Sequence, residues 1–176
     1  SHRRTIVARV LRARAVRAVV AAEAREKHDT YRPGLLQARK YAFEIAANYS
    51  HAFVQIAERL LGRVWNRVYD GVKFNHAGTL KEVSEGNEVV YVPCHRSHMD
   101  YLLLSYIIYH QGFALPHIAA GINLNIPVVG RLLRKGGAFF IRRTFAGNAL
   151  YTVVFMKYLA AIMARGHSIE YFIEGG

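Results

Sequence analysis

The sequence predicts an α/β fold: a mixed or mostly parallel sheet flanked by helices, preceded by an amino-terminal helical segment. Two observations carry this reading. From about residue 70 onward, short β-branched and aromatic runs bounded by Gly, Pro or Asn alternate with longer apolar segments at helical spacing. Before that point the chain is rich in Ala and Arg, with long apolar faces at helical period and few turn signals. The expected organisation is therefore a basic helical segment over 1–69 and an α/β domain over 70–176.

Residues 1–27 contain no Gly or Pro and read as one helix. Ile6, Val7, Val10 and Leu11 share a face, but Val16, Val19 and Val20 drift off it, which favours a basic surface or interfacial helix over a coiled coil. Residues 29–34 (Asp-Thr-Tyr-Arg-Pro-Gly) read as a turn. A second helix is expected from Leu35 to Leu61, with Ala42, Ile45, Ala46, Tyr49, Phe53, Ile56, Ala57 and Leu60 on one face. Residues 62–69 continue or restart it, anchored by Trp65 and Val68.

The alternation follows. Strands are expected at 72–74, 88–92, 114–119, 138–141 and 168–173, and helices at 78–84, 101–109 and 148–164. Residues 123–133 read as a loop or irregular helix interrupted by Pro127. Ligands on such sheets gather at the carboxyl ends of the strands, where His95, Arg142 with Arg143, and Glu174 with Gly175 fall.

Charge narrows the class of partner. The 24 Lys and Arg against 12 Asp and Glu give a formal net charge of +12, which points to nucleic acid, anionic membrane or phosphate-bearing substrates. The basic residues of 1–27 are not interleaved with aromatics as a nucleic-acid stacking platform requires. The single Cys cannot form an internal disulfide, in keeping with a reducing compartment. Apolar content is 52%, yet the longest stretch without Asp, Glu, Lys or Arg, 101–130, is broken by His110, Gly112, Pro116 and Pro127. It reads as helix, strand and loop, not a span. The amino-terminal residues do not carry a signal-peptide pattern.

The chemistry concentrates around Cys94-His95-Arg96-Ser97-His98-Met99-Asp100. A strand ends near Pro93 and a helix opens at Asp100, so His95 lies in the turn and Asp100 at the helix start, and across such a strand-turn-helix corner they can fold back and touch. A carboxylate bonded to one imidazole nitrogen fixes its tautomer and suits the ring to act as a general base. Spacing alone leaves other readings open: metal ligation by His95, His98 and Asp100, a polar helix cap, or a Cys94 nucleophile. Cys94 is the weakest, because neighbours on an extended segment point to opposite sides.

Arg131, Arg134, Lys135, Arg142 and Arg143 fall within 13 residues that contain no acid. With Gly136-Gly137 they form a candidate phosphate-binding surface. Phe139 and Phe140 alternate across their strand, one toward the core and the other toward the site.

The His95-to-Asp100 stretch resembles the His-x-x-x-x-Asp motif of the glycerolipid acyltransferases. The wording Val-Pro-Cys-His-Arg-Ser-His-Met-Asp-Tyr is similar, more narrowly, to their bacterial membrane-bound glycerol-3-phosphate branch. Two further blocks of that family follow in order, Gly-Gly-Ala-Phe-Phe-Ile-Arg-Arg at 136–143 and Tyr-Phe-Ile-Glu-Gly-Gly at 171–176. The resemblance implies transfer of a fatty acyl group from acyl-CoA or acyl-carrier protein to the 1-hydroxyl of glycerol 3-phosphate, giving lysophosphatidic acid for phospholipid synthesis. It implies His95 as base, Asp100 as its orienting acid, and Arg143 on the acceptor's phosphate. Arg142, Phe140, Glu174 and Gly175 are further candidates for the substrate site. Neither cofactor nor metal is implied. The third block continues beyond Gly176 in the family, so the sequence reads as a fragment truncated at its carboxyl end. Anionic lipids are expected partners, nucleic acid is not, and the expected location is peripheral or monotopic on the cytoplasmic face of the bacterial inner membrane. The competing class is a membrane-associated or nucleic-acid-binding basic module without catalysis.

Overall fold

The computed structural model describes residues 2–68, 77–95, 100–171 and 173–174; at residues 66, 68, 77, 94, 95, 100–102, 173 and 174 it describes the backbone. The amino-terminal stretch forms not one helix but two, α1 (His2–Arg12) and α2 (Arg14–Glu26). Ala13 adopts extended dihedrals (φ −62°, ψ 132°) between them. The break resolves the drift in the apolar pattern. Ile6, Val7 and Val10 of α1 and Val16 and Val20 of α2 all enter one core, each 3% exposed or less. These residues are therefore interior, whereas a surface helix was expected.

The expected turn at 29–34 is instead the start of α3 (Tyr31–Ile45). Pro33 lies in its first turn, where a missing N–H leaves no helical bond unmade. Gly34 is there for contact: a Cβ would lie 2.9 Å from Val20 Cγ1, so only glycine lets α2 and α3 approach this closely.

The second expected helix is also divided. Ala46 turns extended after α3, and α4 spans His51–Val68. Tertiary partners explain the break. The backbone N–H groups of Asn48 and Ser50 donate to the carbonyls of Arg134 and Lys135, both at 3.0 Å, and Ala47 N–H donates to the Tyr158 hydroxyl at 3.0 Å. Arg134, only 6% exposed, donates in turn to the carbonyls of Ala46 (2.7 Å) and Glu44 (2.6 Å) at the end of α3. A side chain 90 positions away thus satisfies a helix terminus that would otherwise lack partners. Trp65 is buried near the far end of α4, whereas Ile56 and Leu60, expected on a packed face, are 66% and 60% exposed.

Beyond α5 (Ala77–Ser84) comes the parallel α/β portion: β1 (Val90–Tyr91), β2 (Cys94–His95), α6 (Asp100–His110), β3 (His117–Gly121), α7 (Val129–Lys135), β4 (Ala138–Ile141), α8 (Ala149–Met163), β5 (Ile169–Glu170) and β6 (Ile173–Glu174). Among the described residues every strand pair is parallel, with sheet order β1-β5-β3-β4 and a separate β2-β6 pair. Tyr91 pairs with Glu170 and Cys94 with Ile173, so β2-β6 keeps the register of β1-β5.

β4 spans the expected residues, and α8 matches within one residue at each end, capped by Asn148 Oδ1 accepting from Tyr151 N–H at 2.9 Å. The third strand begins later than expected, after Pro116, which cannot donate to a ladder. The last expected strand is divided into β5 and β6, and the irregular segment at 123–133 resolves into a 3-10 turn (Ile122–Leu124) and α7. The strand expected at 72–74 lies outside the described residues. One core joins α1, α2 and α3 to Tyr151, Val154, Tyr158 and Ile162 of α8, to Phe139 of β4 and to Ile169 of β5.

Candidate active site

The turn expected before Asp100 falls at residues 96–99, which lie outside the described residues, and His95, expected in that turn, instead closes a short strand beyond Pro93. His95 is the last residue of β2 and Asp100 the first of α6. In the β2-β6 pair His95 stands in register with Glu174, which places the first and third sequence blocks side by side on adjacent parallel strands. The second block ends β4, on the far side of β3 and β5. Three interstrand spacings of about 4.8 Å put that edge roughly 14 Å from the β1-β2 line. His95, Glu174, Arg142 and Arg143 all sit at carboxyl ends of parallel strands, where α/β sheets bind ligands. Gly175, and His98 of the metal-ligand alternative, lie outside the described residues.

A cavity of about 1250 Å³ opens beside this edge. Its wall combines Phe53, Ala57 and Leu61 of α4, Tyr106 and Tyr109 of α6, Ile118 to Gly121 of β3, and Phe155 and Leu159 of α8. The lining is predominantly apolar, with Arg142 and Arg143 among its polar members. Such a surface suits a long hydrocarbon chain whose head carries negative charge.

The two neighbouring arginines differ. Arg142 is held by Glu44 in a bidentate pair, Nε to Oε1 at 2.7 Å and Nη2 to Oε2 at 2.8 Å. Its guanidinium also lies 4.9 Å from the Tyr41 and Tyr151 ring centroids, and the bond to Glu44 pushes its pKa up. Arg143 is exposed on the cavity wall, and no described acidic side chain pairs with it. Of the two phenylalanines, Phe139 lines the cavity; Phe140 is fully buried, with the Arg134 guanidinium 4.4 Å from its ring centroid. Phe139 also belongs to the helix-packed core, so both rings are buried, and Phe140, the candidate for the substrate site, lies under Arg134.

Two buried titratable groups were not foreseen. Glu170, on central strand β5, is 0% exposed, with no hydrogen-bond partner for either carboxylate oxygen among the described residues; burial pushes its pKa up to about 8. His117, 2% exposed, has its ring 4.7 Å from that of His167 in a tilted arrangement, and burial followed by the charges of His167 and His2 pushes it down to about 3. Glu170 sits within an alternating strand pattern and carries no local sign that it faces inward. Glu44 likewise gives no hint of its partner, 98 positions away.

A family model described as acyltransferase matches residues 75–176. The chain belongs to the acyltransferase family. It is 56% identical over all 176 residues to a protein of Xanthomonas axonopodis pv. citri (strain 306) named glycerol-3-phosphate acyltransferase, and 51% identical over the same length to proteins of that name from Pseudomonas syringae pv. syringae (strain B728a) and Pseudomonas putida (strain KT2440). The match covers 100% of this chain but 20–21% of each relative, so the chain spans about a fifth of the length of the curated relatives it matches.

Proposed function

We propose that this chain forms the catalytic core of an enzyme transferring a fatty acyl group to the 1-hydroxyl of glycerol 3-phosphate, giving lysophosphatidic acid for phospholipid synthesis. The observation that carries the reading is that His95 closes a strand in register with Glu174, while Asp100 opens α6, the helix whose Tyr106 and Tyr109 line a large apolar cavity. His95, oriented by Asp100, removes the proton from the acceptor hydroxyl as its oxygen attacks the thioester carbonyl. The thiol of CoA or of acyl-carrier protein leaves, and no covalent acyl-enzyme or metal takes part. Arg143 holds the acceptor's phosphate, so that contacts remote from the reacting hydroxyl place it for attack. Glu174 and Gly175 complete the acceptor pocket, Arg142 positions Arg143 through its fixed backbone, and the cavity takes the acyl chain.

Attachment to the cytoplasmic face of the inner membrane belongs to the same proposal. Among the described residues no helix is long and apolar enough to cross a bilayer. On α4, Ile56, Leu60 and Val64 are 66%, 60% and 43% exposed, with Arg59, Arg63 and Arg67 exposed beside them. Apolar residues flanked by arginines suit a shallow seat in anionic lipid.

The test is acyl transfer to glycerol 3-phosphate by the full-length protein. His95→Ala is expected to lower turnover by about 10²- to 10⁴-fold or more while the fold, read by circular dichroism, is retained. Undiminished turnover would sink the proposed mechanism.

A further inference from the structure

A second concave site lies away from the cavity, between α1, the end of α3 and the segment leading to α7. It encloses about 680 Å³ and is lined by Arg3, Arg39, Lys40 and Arg134, with Asn125 and a single acid, Glu44. That acid is already engaged. Both Glu44 carboxylate oxygens accept from Arg142, on the side facing the large cavity, and only its backbone carbonyl serves Arg134.

Four cationic side chains therefore converge with no described carboxylate free to balance them. Two are held in place independently of any ligand. Arg134 is 6% exposed and fixed by the α3 carbonyls. Arg3 donates through Nη2 to the Phe43 carbonyl, while its Nε is buried without an acceptor among the described residues. The Phe43 ring keeps the arginines apart, with the Arg3 and Arg39 guanidinium carbons 5.3 Å and 5.7 Å from its centroid. Burial lowers the pKa of both Arg3 and Arg134, Arg134 to about 10, with the charge of Arg3 adding to the effect on Arg134. A preorganised group of like charges, part of it removed from water, is stabilised by an anion that neutralises it. Guanidinium groups match the oxygens of a phosphate in geometry as well as charge.

We propose that the Arg3, Arg39, Lys40 and Arg134 pocket is a phosphate-binding site, separate from the one assigned to Arg143. Its ligand is a phosphate group, carried either by a soluble molecule or by a lipid headgroup. Glu44 touches both places, its backbone carbonyl accepting from Arg134 and its carboxylate from Arg142.

The test uses the full-length protein carrying Arg143→Ala, so that the site proposed for the acceptor does not contribute. Inorganic phosphate is titrated calorimetrically at constant ionic strength. Saturable binding is expected, weakened about tenfold or more by Arg39→Gln with Lys40→Gln, both exposed positions. Removal of the same charge from α2, Arg14→Gln with Arg17→Gln, should leave it unchanged. Flotation on phosphatidylcholine vesicles with and without phosphatidylglycerol then identifies the source. Loss of binding to the anionic vesicles in the Arg39/Lys40 variant, with phosphate competing in the parent, assigns the site to a headgroup. Vesicle binding that survives while phosphate binding is lost assigns it to a soluble phosphate. Absence of saturable phosphate binding, or equal weakening by the two double variants, overturns the proposal.

Discussion

The layer formed by α1, α2, α3 and α8 and the side bordered by α4 and α6 use apolar residues in opposite ways. In the first, Val16, Val20, Ile45, Tyr151, Val154 and Ile162 are each 0% exposed and belong to one core. On the second, most apolar residues of α4 line a cavity of about 1250 Å³ or, as at Ile56 and Leu60, face outward, Trp65 being buried. The helical pattern of α4 is no less regular in sequence than those of the first layer. Periodicity thus establishes which residues share a face, while the partner of that face is decided by the rest of the chain. The filled side holds the sheet, and the open side carries the cavity.

The strongest way to break this comparison is to truncate one residue on each side. Ile45→Ala removes a fully buried side chain from a filled core and is expected to lower stability by about 2–5 kcal/mol. Leu61→Ala, on the cavity wall, removes contacts from one side of a space that is already open. It should cost less than about 1.5 kcal/mol. Urea unfolding of both variants checks this, and equal costs would mean that the cavity is filled by the protein itself.

The buried titratable groups sharpen it further. His117 is in register with Ile169, and with it on the helix-packed face, whereas Glu170 follows Ile169 and points to the opposite one. His117 falls from 6.5 to about 3 in the fold, so its neutral form is favoured: stability is full above the unfolded value and declines as pH falls below about 6.5. Glu170 rises from 4.5 to about 8, so its contribution is full below the unfolded value and is lost as pH rises from about 4.5 through about 8. Glu170→Gln should therefore remove the alkaline decline and leave the acid one. The measurement is the urea midpoint at about pH 5 and about pH 8. A variant that still loses as much stability as its parent over that range would show that Glu170 is not buried as a neutral acid.

Several of these features were open to reading in the sequence and others were not, for a common physical reason. β4 and α8 were legible because each carries its own signals, a continuous apolar run in one case and an Asn cap with a sustained helical face in the other. The helix start at Asp100 was legible as well, since an acid before a sustained apolar run marks it locally, whereas the strand at Cys94–His95 was hidden behind Pro93. The division of α3 from α4 was not, because it depends on Arg134, Lys135 and Tyr158 supplying partners to residues 46–50. Gly34 looked like a turn residue because its true neighbour, Val20, lies on another helix. What the sequence conceals is contact between distant segments, and the different roles of the two arginines that end the second block follow from such a contact.

That pair gives the finest test. Arg142 bonds Glu44 through two nitrogens, but its side chain is 35% exposed and that of Glu44 25%, so solvent screens part of the attraction. Arg142→Ala is accordingly expected to cost about 1–2 kcal/mol of stability, less than a fully buried pair would. Arg143, exposed and one residue away, has no such anchor among the described residues, and Arg143→Ala should change stability by less than about 0.5 kcal/mol. Its effect belongs in the kinetics instead. If it holds the phosphate of glycerol 3-phosphate, its loss raises the Michaelis constant for that substrate by about tenfold or more and leaves that for the acyl donor nearly unchanged. Chemical unfolding and two-substrate kinetics on the full-length variants separate the two roles. An equal rise for both substrates, or a loss of stability at Arg143 matching that at Arg142, would make both arginines structural and leave the acceptor's phosphate to another residue.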